Sequence, residues 1–128
     1  MRLLLDTHVL LAMIEGHKAG LPAAVDALLK GPENEHHLSA ASLWEIAIKW
    51  RLGKLRLALN LTALPDLFRE LGIQILPINE HHALAAVDPE PLTRDPFDRM
   101  LLAQCQIENL RLVTLDRSLL KHRLAARI

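Results

Sequence analysis

The chain has 128 residues, of which 51% are hydrophobic, and its 15 Lys and Arg residues balance its 15 Asp and Glu residues. This length predicts one domain over residues 1–128, with a core large enough to fold without disulfides or a structural metal. The charge balance excludes a strong overall field, so any affinity for nucleic acid must come from local clusters of basic residues.

The single cysteine and the short apolar runs indicate the cellular compartment in which the protein is expected. Cys105 has no partner for an internal disulfide and is expected to be a buried apolar group, which suits a reducing compartment. The longest apolar run, residues 9–14, is too short to span a bilayer. Asp6 interrupts the apolar N-terminal run, which argues against a signal peptide. We therefore expect a cytoplasmic protein with no membrane segment.

Strands and helices are predicted to alternate along the chain. Short apolar runs typical of buried parallel strands occur at residues 2–5, 73–76 and 110–114, with a briefer candidate at residues 36–39. Helices are predicted at residues 9–14, 22–30, 42–52, 61–71, 80–87, 96–108 and 117–122. This alternation predicts an α/β domain in which helices cover both faces of a parallel sheet.

Two acidic residues lie just past the carboxyl ends of predicted strands. Asp6 follows residues 2–5, and Asp116 follows residues 110–114. In open α/β sheets, ligands bind outside the carboxyl ends of the strands. Each residue also precedes a predicted helix, where an Asp is a common N-cap. The sequence leaves both roles open for both residues.

Asp98 is an acid on the inner face of a predicted helix. Asp95 is a good N-cap and is followed by proline, so a helix is expected over residues 96–108. At about 100° per residue, Asp98 falls on the same face as Leu101 and Leu102. The alternative is that Asp98 only complements the helix dipole from the first turn.

Glu45 lies on the narrow polar stripe of an otherwise apolar helix, whose N-cap is expected to be Ser39 or Ser42. Two structural roles compete with a functional one, because Ser42 to Glu45 matches a capping box and Glu45 has the spacing of a surface ion pair with Lys49. Four cations then follow within one short segment: Lys49, Arg51, Lys54 and Arg56. These cations either contact phosphates or solvate a helix end.

Acids delivered to one edge of a sheet favour a bound cation, because their mutual repulsion is otherwise costly. Ligation by oxygen alone selects Mg²⁺ or Mn²⁺ over zinc or copper. The chemistry that suits such a site is metal-assisted hydrolysis of a phosphodiester. The histidine pairs at residues 36–37 and 81–82 are adjacent, which is not the spacing of a helical zinc site. The chain also has no Gly-rich phosphate loop.

Four segments resemble the motifs of the PIN domain family, and more narrowly those of VapC-like toxins of type II toxin–antitoxin pairs. They are LLLDTH at residues 3–8, SAASLWEI at 39–46, RDPFDR at 94–99 and LVTLD at 112–116. The resemblance covers nearly the whole chain, and four acids in this order with these flanks form a specific pattern. It implies a three-layer α/β/α domain with a small central parallel sheet, and an endoribonuclease that depends on a metal ion.

The resemblance also implies roles for individual residues and for partners. The ligands of Mg²⁺ or Mn²⁺ for RNA cleavage would be Asp6, Glu45, Asp98 and Asp116. Asp95, Thr114 and Thr7 would support them. The basic cluster, independently of the resemblance, offers Lys49, Arg51 and Lys54, together with Arg99, as possible RNA contacts. The resemblance further implies a homodimer and inhibition by a cognate antitoxin protein. The chain departs from the usual pattern at Thr93, where similar toxins often have His, and at Ala12, where many have Trp.

Two other functions remain open from the sequence. The segment LLLDT is faintly similar to the aspartyl nucleophile of haloacid-dehalogenase-like phosphatases, but His8 stands where those enzymes have a second Asp. The non-enzymatic alternative is a binding module for RNA or protein, in which the acids are only helix caps or surface pairs.

Overall fold

The computed structural model describes residues 1–15 and 20–128 and is organised around one parallel sheet. Its strands are β1 (Arg2–Leu5), β2 (Glu35–Ser39), β3 (Ile73–Leu76) and β4 (Arg111–Val113), arranged in the order β3-β2-β1-β4. Every neighbouring pair in this sheet is parallel. The carboxyl ends of the strands therefore form one edge, called the carboxyl edge, and their first residues form the opposite, amino edge.

Helices connect the strands. They are α1 (Thr7–Ile14), α2 (Ala23–Lys30), α3 (Ala40–Arg51), α4 (Leu64–Glu70), α5 (Glu80–Leu84), α6 (Pro96–Glu108) and α7 (Arg117–Leu120), with a 3-10 turn at Leu61–Ala63. Within residues 1–15 and 20–128, no helix has both the length and the apolar character that crossing a membrane requires.

Side chains of β1 alternate between two apolar cores on opposite faces of the sheet. Leu3 and Leu5 pack into the larger core with residues of α1, α2, α3 and α4, whereas Leu4 packs into the smaller core with α6. This is the period of two expected of a strand that is covered on both faces. Cys105 lies in the smaller core, fully buried as expected. The prediction of an α/β domain with helices on both faces of a parallel sheet is confirmed.

The helix predicted over residues 61–71 is wrong in its extent. The structure has a 3-10 turn followed by α4, and Pro65 lies in the first turn of α4, where its missing N–H costs no helical hydrogen bond. Leu71, the last residue of the predicted helix, follows the end of α4 and is 45% exposed.

Two predicted helices end earlier than expected, because the residues that follow them form hydrogen bonds outside the helix. The helix predicted over residues 80–87 stops at Leu84, since the Gln106 side chain bonds to Ala86 O (3.0 Å) and Asp88 N (2.9 Å). The last helix stops at Leu120 rather than residue 122. The chain then turns and runs beside β4, where backbone bonds of 2.8 Å join Leu112 to residues 124 and 126.

Candidate functional site

Asp6 is buried just past β1, where two donors hold its carboxylate. Its Oδ1 accepts a hydrogen bond from the Thr7 backbone N–H (2.7 Å), and its Oδ2 accepts one from the Thr114 hydroxyl (2.7 Å). Asp6 is also the N-cap of α1, so the structural role that the sequence allowed is present. Both donors are neutral, and they orient the carboxylate without cancelling its charge.

Thr114 links the ends of two neighbouring strands, β1 and β4. While its hydroxyl donates to Asp6, its oxygen accepts a hydrogen bond from the backbone N–H of Asp116 (3.1 Å). Asp116 is exposed and caps α7 by accepting from Ser118 N (2.9 Å) and Ser118 Oγ (2.8 Å). The predicted supporting role of Thr114 thus has a definite geometry, whereas Thr7 contacts Asp6 through its backbone and not its hydroxyl.

The start of α6 brings Asp95 and Asp98 to the same region. Asp95 caps the helix as predicted, accepting from Phe97 N (2.8 Å) and from Asp98 N (3.4 Å). Asp98 lies in the first turn, where its Oδ2 accepts a hydrogen bond from the Thr93 hydroxyl (3.1 Å). Thr93 also accepts from the Asp95 backbone N–H (3.1 Å).

The sequence interpretation noticed Thr93 only as a departure from a family pattern and missed that it holds Asp98. A signal was available, because a Thr two residues before a capping Asp can form a local turn in which its hydroxyl accepts from that backbone. The hydroxyl then has its proton free to donate to the carboxylate. Ser42 was missed in the same way, since it accepts a hydrogen bond from the Thr7 hydroxyl (3.0 Å) and joins α3 to α1.

Glu45 does not belong to a capping box. Ser39 is the N-cap of α3 and accepts from Ala41 N (3.0 Å), so Glu45 lies beyond the first turn and the capping-box explanation is wrong. The ion pair with Lys49 is present, at 3.1 Å between Nζ and Oε2. The Glu45 side chain is only 14% exposed, so this pair is not an ordinary surface pair.

Burial and neighbouring charge both act on Asp6. Burial raises the pKa of Asp6 above its ordinary value, and the nearby Glu45 carboxylate adds to the rise. The hydrogen bonds from Thr114 and Thr7 and the neighbouring His8 oppose the rise without cancelling it. Asp6 is therefore held in a position where its ionised form is disfavoured.

Asp98 is affected in the same direction. Burial raises the pKa of Asp98 to about 6, and the carboxylates of Asp95, Asp6 and Asp116 contribute to the rise, against the bond from Thr93. The acids from β1, α6 and the end of β4 thus lie within electrostatic range of one another. The helix that carries the fourth acid, Glu45, meets here as well, since α3 packs against both α1 and α6.

Of the predicted RNA contacts, two already bind other side chains and two are exposed. The Arg99 guanidinium donates to Thr93 O (3.0 Å) and to Glu90 Oε1 (2.6 Å), so it already holds the loop before α6. Lys49 is committed to Glu45. Arg51 and Lys54 are exposed near the end of α3.

The donor set at the carboxyl edge fits a hard divalent cation. Carboxylates are the ligands that Mg²⁺ and Mn²⁺ prefer. Burial, with a smaller contribution from neighbouring carboxylates, raises the pKa of both Asp6 and Asp98, and a bound cation would favour their ionised forms. In the described part of the chain, however, no group of three or more His, Cys, Asp or Glu side chains has an arrangement that could hold a metal ion. The assignment of Asp6, Glu45, Asp98 and Asp116 as ligands therefore stays a prediction.

Comparisons with known proteins relate the chain to a family and to a solved complex. The family model described as PIN domain matches residues 3–123. No curated protein matches. Among solved structures, the chain is similar to one in the crystal structure of VapBC2 from Rickettsia felis bound to a DNA fragment from their promoter. The two chains are 18% identical with a TM-score of 0.62, over 91% of this chain and 89% of that chain.

Proposed function

The chain belongs to the PIN domain family, and on that premise we propose that it is an endoribonuclease that hydrolyses RNA with the help of Mg²⁺ or Mn²⁺. The family resemblance predicted from the four sequence motifs is thereby confirmed. The observation that best supports the activity is that acids gather at the carboxyl edge and are held there by uncharged donors, Thr114 to Asp6 and Thr93 to Asp98. Burial raises the pKa of both carboxyls. The carboxylates of Asp95, Asp6 and Asp116 add to the rise at Asp98, as Glu45 does at Asp6. Repulsion of this kind is typical of carboxylates that receive a cation.

The ligands in this proposal are Asp6, Glu45, Asp98 and Asp116. When bound, the cation would supply a water of lowered pKa as the nucleophile and would stabilise the charge that develops on the phosphate. The chain's own contribution is orientation. Thr114 fixes one oxygen of Asp6 and Thr93 fixes one oxygen of Asp98, so both carboxylates are positioned before any cation arrives.

Asp95 and Thr7 support the site through the backbone. Asp95 stabilises the first turn of α6, which carries Asp98, and the Thr7 N–H holds the second oxygen of Asp6. Loss of either contact would leave the supported carboxylate, Asp98 or Asp6, in place but less precisely oriented.

Basic residues on and just after α3, and one on α6, are proposed to contact RNA phosphates. Arg51 and Lys54 suit this role because they are exposed, whereas Lys49 and Arg99 would have to share their present partners. We expect the Arg51→Ala, Lys54→Ala double variant to bind RNA more weakly and with a shallower dependence on salt, by about one unit of slope per lost phosphate contact. Binding measured from low to high salt tests this, and an unchanged slope would leave both residues as solvated surface.

The proposed biological setting is a toxin–antitoxin pair in the cytoplasm. The similar structure from Rickettsia felis is a VapBC2 complex, which supports an antitoxin protein as the partner of this chain. By the same family argument we propose a homodimer. Co-expression with the product of a neighbouring gene, followed by purification of a complex, tests the antitoxin. Sedimentation of the isolated chain tests the dimer.

The activity itself is tested with purified protein free of any partner. Single-stranded and structured RNA are incubated with Mg²⁺, with Mn²⁺ and with EDTA, and the products are separated by size. We expect cleavage in both metals and none in EDTA. Intact RNA under all three conditions would contradict the proposal.

A non-catalytic binding module is the second candidate, and one observation favours it. Asp6, Asp95 and Asp116 all serve as helix caps, and capping alone would explain an Asp at each of these positions. Titration with Mn²⁺ separates the two candidates, because caps that are already satisfied bind no metal. A melting temperature that does not change when Mn²⁺ is added would support the binding module.

A further inference from the structure

A cleft rich in arginine lies at the amino edge of the sheet, at the opposite end of the strands from the acids. It has a volume of about 370 Å³ and is lined by Met1, Arg111, Arg123, Ala125, Ala126 and Arg127. Arg111 is the first residue of β4, so the cleft lies where that strand begins. β1 has 4 residues, which at about 3.3 Å per residue place the two edges roughly 13 Å apart. The cleft is therefore separate from the site proposed above.

The segment after α7 forms the floor of this cleft. It runs beside β4, to which two backbone hydrogen bonds of 2.8 Å hold it at Leu112. Ala125 and Ala126 are 7% and 5% exposed, and their short side chains leave space beside the long arginine side chains. Arg111 Nη1 donates to the backbone carbonyl of Arg123 at 2.8 Å, which joins the two sides. Contacts within the chain therefore form the cleft before any ligand binds.

The arginines of the cleft have no acidic partners. Arg111, Arg123 and Arg127 are exposed, and none of them forms an ion pair with any residue in the ranges 1–15 and 20–128. Among the residues that the structure describes, neither an Asp nor a Glu lines the cleft. A guanidinium is always protonated. The positive charges of three arginines therefore share one cleft, and their mutual repulsion favours an anion between them.

Two carboxylates at the same edge of the sheet already have partners. Glu35, the first residue of β2, pairs with Arg2 at 3.0 Å. Arg2 also donates to the backbone carbonyl of Glu108, whose side chain binds His82 at 3.0 Å. Neither carboxylate is thus left to neutralise the cleft.

We propose that this cleft binds a phosphate monoester, the group that ends a nucleotide or an RNA strand. The fork of a guanidinium matches the oxygens of phosphates and carboxylates alike. Charge separates these ligands, because a phosphate monoester carries about −1.5 to −2 at pH 7, whereas a carboxylate or a phosphodiester carries a single charge. A cleft lined by three arginines favours the group with the larger charge.

The size of the cleft allows for more than a phosphate. Its volume lies near the lower end of the range of roughly 300–1,000 Å³ that is usual for sites of small ligands. A phosphate group alone is far smaller, so the sugar or the base attached to it also has room. Met1, Ala125 and Ala126 offer apolar surface for that part of the ligand.

An acidic segment of a partner protein is the competing ligand. Several of its carboxylates, each with one charge, would have to converge in this cleft to match the arginines. A phosphate monoester brings the same charge on one group. The observations therefore favour phosphate, and an acidic peptide becomes one arm of the test.

The test is isothermal titration calorimetry with the whole chain, stripped of divalent cations by dialysis so that no metal holds phosphate at the carboxyl edge. Adenosine monophosphate (AMP) is compared with cyclic AMP, which has a phosphodiester, and with adenosine, which has no phosphate. Inorganic phosphate, hexaglutamate and one RNA oligonucleotide, made with and without a terminal phosphate, complete the set. RNA stays intact without divalent cations if the proposed function is right.

Two double variants make a matched pair. Arg123→Gln, Arg127→Gln removes two charges from the cleft, and these exposed side chains hydrogen-bond or pair with no other residue in the described part of the chain. Arg117→Gln, Lys121→Gln is the control, because it removes two charges from exposed residues outside the cleft. Both variants should melt at the temperature of wild type, since the replaced side chains are exposed.

We expect AMP to bind more tightly than cyclic AMP, and adenosine not to bind. The variant in the cleft should weaken AMP binding at least about tenfold, because charge-assisted hydrogen bonds to phosphate are among the strong ones. The control variant should bind AMP as wild type does. Inorganic phosphate that binds as tightly as AMP would identify free phosphate as the ligand. RNA that binds only with its terminal phosphate would identify an RNA end.

Four results would overturn the inference. Equal affinity for AMP and adenosine would show that the phosphate is not recognised, and equal AMP affinity of wild type and the cleft variant would show that the cleft is not the site. RNA that binds equally with and without a terminal phosphate, and more weakly to the cleft variant, would replace the monoester by the phosphodiester backbone. Hexaglutamate that binds more tightly than AMP, again only with the arginines present, would assign the cleft to an acidic peptide. None of these results depends on whether the chain cleaves RNA.

Discussion

The two edges of the sheet carry opposite charges. At the amino edge, Arg2 begins β1 and Arg111 begins β4. A cleft of about 370 Å³ there is lined by Met1, Arg111, Arg123, Ala125, Ala126 and Arg127. At the carboxyl edge, Asp6 and Asp116 follow the same two strands. The same pair of strands thus presents cations at one end and acids at the other.

The edges differ in how their charges are compensated. Arg2 pairs with Glu35 at 3.0 Å, and Arg111 donates to the backbone carbonyl of Arg123 at 2.8 Å. Asp6 and Asp98 instead accept hydrogen bonds from hydroxyls and amides, and burial raises the pKa of both. A carboxylate therefore neutralises Arg2 and a carbonyl binds Arg111, whereas uncharged donors hold the buried Asp6 and the partly buried Asp98. Each prediction below tests this difference.

The largest effect is expected from Asp98→Asn on RNA cleavage. Removing one carboxylate from the proposed ligand set should lower the cleavage rate by at least about 100-fold, since even residues that only support metal ligands are worth about 10- to 100-fold. The same change should reduce the gain in melting temperature with Mn²⁺, which for wild type reflects stabilisation of about 2.7 kcal/mol at a metal concentration 100 times the Kd.

Asp66→Asn is the matched control for that change. Asp66 also lies in the first turn of a helix, but on α4, where it is 83% exposed and pairs with Arg69. We expect its cleavage rate and its Mn²⁺ shift to equal those of wild type. If Asp98→Asn behaved like this control, Asp98 would return to its role at the helix dipole.

The next effect concerns Thr114→Val, which keeps the shape of the buried side chain and removes its hydroxyl. Asp6 would lose a donor at 2.7 Å, and the Asp116 N–H would lose its acceptor. We expect a loss of about 1–3 kcal/mol in unfolding free energy, because a buried charged acceptor is left unpaired, and a cleavage rate lower by about 10- to 100-fold.

Thr114→Ser is the control for Thr114→Val, because it restores the hydroxyl. Denaturant unfolding and initial cleavage rates of both variants measure the two effects. Equal cleavage by the Val and Ser variants would show that Asp6 needs no orienting donor.

How far the sequence predicted this edge depends on the range of the interactions involved. Asp95 was identified as a cap because capping depends on a few neighbouring residues. Asp6 and Asp116 were predicted at one edge because the strands of a parallel sheet all bring their carboxyl ends to the same edge. The bond from Thr114 to Asp6 joins residues 108 positions apart. Such a contact follows from packing, so the sequence offered Thr114 only through family resemblance.

The errors have the same origin. Ser39 and Ser42 were both possible caps of α3, and only the end of β2 at Ser39 decides between them. The contact of Ser42 with Thr7 joins two helices that are distant in sequence. The exposure of Trp44 was also hidden, because α3 is apolar around most of its circumference and no local pattern shows which side is left uncovered.

A smaller effect is expected on the stability of protein kept in EDTA. The pKa of Asp98 is raised to about 6 in the folded state, so its ionisation favours unfolding. The resulting cost is fully present above about pH 6 and disappears toward pH 4, where both states are protonated. Asp98→Asn should thus be more stable than wild type at pH 7.5, by on the order of 1 kcal/mol, after allowing for partial exposure.

Thermal melts of both proteins in EDTA between about pH 4 and pH 8 measure this difference, which should shrink steadily as the pH falls. The Asp66→Asn control should show no such gain. A mutant that is less stable than wild type at every pH would mean that Asp98 suffers no repulsion from Asp6, Asp95 and Asp116. The contrast between the two edges would then lose its electrostatic basis.

The smallest effect is expected at the amino edge, from Glu35→Gln. This change breaks the pair with Arg2, whose partners are about half exposed, and exposed ion pairs contribute only about 0.2–1 kcal/mol. Arg2 also keeps its hydrogen bond to the Glu108 carbonyl. We expect a small loss of stability that fades at high salt, with RNA cleavage and the Mn²⁺ shift both unchanged, since the edge lies at the opposite end of the strands. Melts at low and high salt and cleavage assays measure these quantities. A large loss of cleavage would show that the amino edge takes part in function, and that the Arg2–Glu35 pair has a role beyond its contribution to stability.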